Sequence, residues 1–130
     1  MRKSTAIIII CLAVAVVVLA IEVVTLKRAE DLPKFTSSYQ AVLLDDGQVF
    51  YGKLSRLGTD YPEMTQVYYV VRTTDPQTKQ PKNVLVKRGK EWHGPTETYF
   101  NARHIIMIEP VSPDSEVAHL ITQAESQGKK

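Results

Sequence analysis

The sequence predicts an N-terminal transmembrane α-helix followed by one small all-β domain, an antiparallel barrel with a C-terminal amphipathic helix. Three observations predict it. Ala6 to Leu26 is an almost unbroken apolar run. After it come short β-branched and aromatic runs separated by turn residues. The last segment has apolar residues at helical spacing. The 130 residues then divide into an N-terminus over 1–5, a membrane helix over 6–26, a linker over 27–38, a β-barrel over 39–110, and a terminal helix and tail over 111–130. Without the apolar segment roughly 100 residues remain, the size of one small domain.

The apolar run comes first. At ~1.5 Å per residue it is about 31 Å long, enough to cross the hydrocarbon core of a bilayer, and it is more uniformly apolar than the core helix of a soluble protein. Arg2 and Lys3 precede it and Lys27, Arg28 and Lys34 follow it, so the positive-inside rule is nearly balanced. A short basic start running directly into an apolar stretch is the layout of a single-pass signal-anchor. It puts residues 1–5 in the cytoplasm and the β domain in the periplasm or outside, on a bacterial inner membrane. A cleaved signal peptide ending near Val18-Leu19-Ala20 is the competing reading, but apolar residues continue through Val23, Val24 and Leu26. Cys11 follows Ile10 rather than a small residue, which argues against a lipoprotein. Glu22, one turn from the end of the run, is placed to reach the headgroups.

In the barrel segment, Tyr39 to Leu54 reads as a hairpin about Asp45-Asp46-Gly47, with Gly47 supplying the positive φ of the turn. Gly52 inside the second strand implies a bulge or sharp bend. Met64–Arg72 is a third strand, Asn83–Lys87 a fourth and Ala102–Glu109 a fifth, with Arg88 to Thr98 as a loop. The consecutive apolar residues of Ile105 to Ile108 are those of a strand covered on both faces. Closing five short strands into a barrel would remove exposed edges. Ser112 then caps a helix with Val117, Leu120, Ile121 and Ala124 as its apolar stripe and Gly128 as its end.

Val42 to Leu54 resembles the first motif of Sm-like barrels, an apolar-x-apolar run ending in Asp-Gly and then a strand containing Gly. Val86-Lys87-Arg88-Gly89 resembles the second motif. The resemblance covers about a third of the chain and implies an SH3/Sm-like barrel. It also implies nucleic-acid binding on the cytoplasmic face, but Glu63 and Met64 stand where that family places a base-holding Asn. The layout is similar as well to bacterial single-span anchored proteins with a Tyr-Gln-Ala-Val…Gly-Gln-Val…Gly-Lys-Leu hairpin, a likeness that implies no activity.

The formal net charge is +2, too small an excess for a dedicated binder of nucleic acid. The sequence has no catalytic signature. It has no GxSxG, no glycine-rich phosphate loop and no metal spacing among His93, His104 and His119. No cofactor is expected, and Cys11 alone makes no intrachain disulfide. The function expected is therefore a non-enzymatic, membrane-anchored interaction module, an accessory or assembly subunit of a membrane complex. Its partners would be the bilayer and other membrane proteins, with self-association open; the alternative is the Sm-like nucleic-acid binder. Candidate interaction residues are Trp92, His93, Tyr99 and Phe100 in the loop region, with the large aromatics favoured as a plug for the barrel end, and Val117, Leu120 and Ile121 on the helix. Lys79, Lys82, Lys87, Arg88 and Lys90 form a candidate basic patch, suited to anionic headgroups if it faces the bilayer.

Overall fold

A computed structural model describes residues 2–30 and 32–127. The chain resolves into two compact units, Met1–Pro33 and Lys34–Lys130. The first is a single helix, α1 (Arg2–Glu30). It runs past the apolar stretch at both ends because nothing before Pro33 breaks a helix; the linker expected from residue 27 thus begins as helix. Over Lys3–Lys27, 25 residues, α1 is long and apolar enough to cross a membrane, and none of it is buried. That stretch measures about 37 Å against about 30 Å of hydrocarbon. Thr25 donates its hydroxyl to the Glu22 carbonyl at 2.9 Å, so this polar group is satisfied within the helix.

The second unit is an antiparallel sheet of six strands: β1 (Gln40–Leu44), β2 (Val49–Ser55), β3 (Glu63–Thr74), β4 (Pro81–Lys87), β5 (Glu97–Tyr99) and β6 (Ile105–Pro110). Their order is β4-β3-β2-β1-β6, and β5 adds to the β3 edge below β4. Five strands were expected; β5 lies at the end of the segment read as a loop. Three residues are too few to show a period, and they are held by pairing Glu63, Met64 and Thr65 with Tyr99, Thr98 and Glu97. The sheet is open, with β4 and β6 at the ends of the hydrogen-bonded path.

The β1–β2 hairpin forms as its sequence requires. Gly47 has φ +83°. Leu44 N–H donates to Gln48 O (2.9 Å) and Gly47 N–H to Leu44 O (3.0 Å), a three-residue loop with its glycine in the left-handed position. Gly52 also acts as expected. The β2–β3 register shifts between Tyr51 and Lys53, and a Cβ on Gly52 would lie 2.5 Å from Met64 Cγ and 2.8 Å from the Thr65 carbonyl oxygen. Beside this shift sits Gln40, a buried polar residue. Its Oε1 accepts from Leu54 N–H (3.0 Å) and its Nε2 donates to Ser37 O (2.7 Å). The side chain thereby supplies β2 with a hydrogen bond beyond the point where β1 begins, and both of its own polar ends are satisfied.

Val42, Phe50, Met64, Val67 and Phe100 form the core, joined by Leu44, Leu54, Tyr69, Ile105 and Ile108. The Phe50 and Phe100 rings meet at 5.4 Å between centroids. β6 departs from expectation: it is not covered on both faces, for Ile106 is 64% and Met107 42% exposed. The β1–β6 register shifts between Leu43 and Leu44, with Met107 opposite Leu43 and Ile105 opposite Leu44. The extra residue resets the alternation, so Ile105 and Ile108 both reach the core at a spacing of three.

The terminal helix α2 (Glu116–Gln127) starts later than Ser112 suggests. Ser112 closes a turn, accepting from Ser115 N–H at 3.0 Å, and Ser115 is the cap, its Oγ accepting from Ala118 N–H at 3.2 Å. Ile121 is buried and Val117 and Leu120 are half-buried, while Ala124, expected in the stripe, is exposed. Gly128, the expected terminator, lies outside the described residues.

Candidate functional site

Two features of the β unit stand apart from its core. The first is the seam between α2 and the sheet. The side chains that alternate with the core residues of β1–β3 face this way. Tyr39 and Tyr68 meet edge to face at 6.4 Å. Lys53 Nζ lies 5.5 Å from the Tyr39 ring centre and Lys87 Nζ 5.7 Å from that of Tyr68, within the range of cation–π attraction. The Tyr39 hydroxyl donates to the Glu125 carboxylate on α2, and Gln66 Oε1 lies 2.7 Å from the same hydroxyl oxygen. Burial, then the hydrogen bond to Glu125, then the charges of Glu125 and Tyr68 push the Tyr39 phenol well up; burial and then the Glu125 charge push Tyr68 up. The Tyr68 side chain is fully buried and its hydroxyl has no hydrogen-bond partner among the described residues. Further along the seam a groove of about 590 Å³ opens between Tyr51, Val70 and Leu85 of the sheet and Val117 and Leu120 of α2, with Glu116 and Asn83 supplying polar groups.

The second feature is the loop from β4 to β5. Glu91 organises it. Its Oε2 accepts from Gly89 N–H at 2.7 Å, its Oε1 lies 3.3 Å from Arg88 Nε, and its carbonyl accepts from Gly94 N–H at 2.8 Å. Gly94, at φ +54°, closes this turn. The Gly89 N–H first, with the Arg88 charge adding to it, holds the Glu91 carboxyl below the usual carboxylate range. Trp92 and His93 sit at the tip of the turn, and Trp92 is fully exposed at 107% of its reference area.

The chain matches no family model, and no curated protein matches it.

The structure separates the residues that the sequence grouped. Of the three aromatics expected to plug the barrel end, Phe100 alone enters the core. Tyr99 is half exposed on β5 and Trp92 points away from the protein. The reason is pairing: β5 hydrogen-bonds to β3, Phe100 N–H donates to Pro62 O at 3.0 Å, and this delivers Phe100 inward, while Trp92 lies upstream on a turn with its own closure. The basic patch is also dispersed. Lys82 pairs with Thr73 and Lys87 with Tyr68 in an unshifted register, and an odd spacing of five puts them on opposite faces, roughly 16 Å apart along the strand. Lys79 lies in the β3–β4 turn, Arg88 is engaged with Glu91 and sits 5.9 Å from the Phe50 ring centre, and Lys90 is exposed in the Trp92 loop. Val117, Leu120 and Ile121 share the α2 face toward the sheet, with Ile121 sealed in and the other two lining the groove. His104 Nδ1 lies 2.6 Å from Asp45 Oδ2, tying the start of β6 to the β1–β2 turn. His93 and His119 stand elsewhere, and no cluster of three metal-ligating side chains occurs among the described residues.

Sequence reasoning missed Tyr39 and Tyr68 as elements of the seam, and Gln40 as the buried polar residue beside the β2 register shift. It also missed the exposed Ile106–Met107 pair, whose signal is the odd spacing between the core residues Ile105 and Ile108.

Proposed function

We propose that this protein is a single-pass, membrane-anchored interaction module without enzymatic chemistry, an accessory or assembly subunit of a membrane complex. The observation that carries this reading is α1: an apolar helix of membrane-spanning length, unburied over Lys3–Lys27, in a chain whose β unit has its own core. An unburied apolar surface of that length is stable in lipid and not in water. Anchoring would hold the β unit at high effective concentration near membrane-bound partners. The exposed Ile106 and Met107 on the end strand, blunted by the bulge and by Pro110, would give a compact apolar contact rather than a long sticky edge. The register shift at Gly52, where β2 packs against Met64 too closely for a Cβ, supports an SH3/Sm-like arrangement of the strands. The nucleic-acid alternative loses support from the opposed placement of Lys82 and Lys87.

Topology and assembly test the reading together. With Cys11 replaced by Ala and Ser126 by Cys, intact bacterial cells are labelled with a membrane-impermeant thiol reagent. Labelling before lysis, an uncleaved chain resistant to alkaline extraction, and migration in mild detergent in a complex larger than the chain alone are expected. Release by alkaline extraction or removal of α1 sinks the anchor. A free monomer in mild detergent sinks the accessory-subunit role. Labelling only after lysis moves the domain to the cytoplasm.

A further inference from the structure

We propose that the Trp92 turn is a membrane-interface wedge: Trp92 inserts at the headgroup level of an anionic phospholipid surface while Lys90 faces the lipid charge. This rests on the anchored reading for its proximity. The chain from Glu30 to Gln40 spans at most about 35 Å even when fully extended, so a bilayer entered by α1 stays within reach of the β unit.

Three observations carry the proposal. Trp92 is fully exposed, although indole is among the side chains that gain most from leaving water while keeping one N–H wet, and it concentrates at membrane interfaces for that reason. The turn that presents it is built rather than slack, closed by Gly94 N–H on the Glu91 carbonyl and by the Glu91 carboxylate on Gly89 N–H and Arg88. That same closure removes the one acid of the loop tip from the outward charge. Glu91 is committed to Arg88 and to the backbone, so exposed Lys90 next to Trp92 leaves the tip with a positive balance. A protein partner would also accept an aromatic anchor. Lys90 beside it, with the acid engaged by Arg88 and the backbone, favours an anionic bilayer.

The chain has a single tryptophan, so its fluorescence reports Trp92 directly. The full chain is reconstituted into vesicles of phosphatidylcholine alone or mixed with phosphatidylglycerol, with and without brominated acyl chains. In the anionic vesicles the emission shifts to the blue, brominated chains quench it, and an aqueous quencher loses access. Raised salt reverses these changes, and Lys90→Gln lowers the ratio of inserted to free Trp92 about fivefold. Emission that stays that of a solvated indole, equally open to aqueous quencher in both lipids, overturns the proposal. Trp92 that becomes shielded only in native membranes, and not in pure lipid, overturns it in favour of a protein partner. Flotation of the vesicles reads the anchor separately. If the chain does not float, the anchored reading fails, and the emission in the presence of anionic vesicles still decides whether the loop itself inserts.

Discussion

Trp92 and Phe100 stand eight residues apart on one stretch of chain and end in opposite surroundings, one wholly exposed and the other packed 5.4 Å from Phe50. Their apolarity does not distinguish them. What differs is the backbone. Phe100 follows a strand paired to β3, whereas Trp92 rides on a turn closed on itself by Glu91 and Gly94. Burial in this small domain is decided by which segments pair, and the side chains follow.

The largest test of that contrast is Phe100→Ala. Removing a buried ring from a core of five buried residues leaves a cavity, and a loss of about 3–5 kcal/mol is expected, read as a lower denaturant midpoint for the full chain in detergent. A loss below about 1 kcal/mol would mean that Phe100 is not part of a well-packed core.

Next is Tyr39, which joins the α2 seam to the sheet. Tyr39→Phe removes the hydrogen bond to Glu125 and is expected to cost about 1 kcal/mol at neutral pH. The pH dependence carries more information. Free phenols titrate near pH 10. Burial and Glu125 raise the Tyr39 value above this, and burial raises that of Tyr68. The protonated phenols are thus favoured in the folded state. Their contribution is complete below about pH 10 and is lost as pH rises toward the folded values. Stability should fall above pH 10, and Tyr39→Phe should flatten that fall without abolishing it, because Tyr68 remains. An alkaline limb of equal slope in the variant would remove Tyr39 from the seam.

The contrast also explains how much of the molecule can be read from its sequence. The apolar helix, the Asp45-Asp46-Gly47 hairpin and the Gly52 bend were legible because each depends on a local rule: an uninterrupted apolar run, a glycine at positive φ, a glycine where a Cβ would strike Met64. β5 was not legible, since three residues paired to a distant strand leave no periodic trace. The bulge at β6 turned a one-sided strand into an apparently two-sided one. The start of α2 was misread because Ser112 and Ser115 both offer a hydroxyl, and the intervening turn selects the second. Of the candidate site, Trp92 was named from sequence, but its exposure depends on the Glu91 closure, which is a matter of geometry.

Tyr68 sharpens the comparison from the buried side. Its ring is needed by the seam, but its hydroxyl has no partner among the described residues. Tyr68→Phe should therefore be neutral or stabilising by up to about 1 kcal/mol, since an unpaired buried hydroxyl costs more than its removal. A clear loss of stability would show that the hydroxyl is served after all, with buried water the first partner to seek.

The smallest effect belongs to Trp92. A large aromatic replaced by Ala is ordinarily a severe change, but a fully exposed side chain has little packing to lose. Glu91, Gly89 and Gly94 close the turn through groups that the substitution leaves in place. Trp92→Ala should leave the unfolding midpoint of the full chain in detergent within about 0.5 kcal/mol of the parent. A larger loss would mean that the indole packs against the protein and that its exposure is not a free surface. A null result on stability carries the opposite meaning: the costly placement of an indole in water is not explained by folding, and its reason must lie outside the chain.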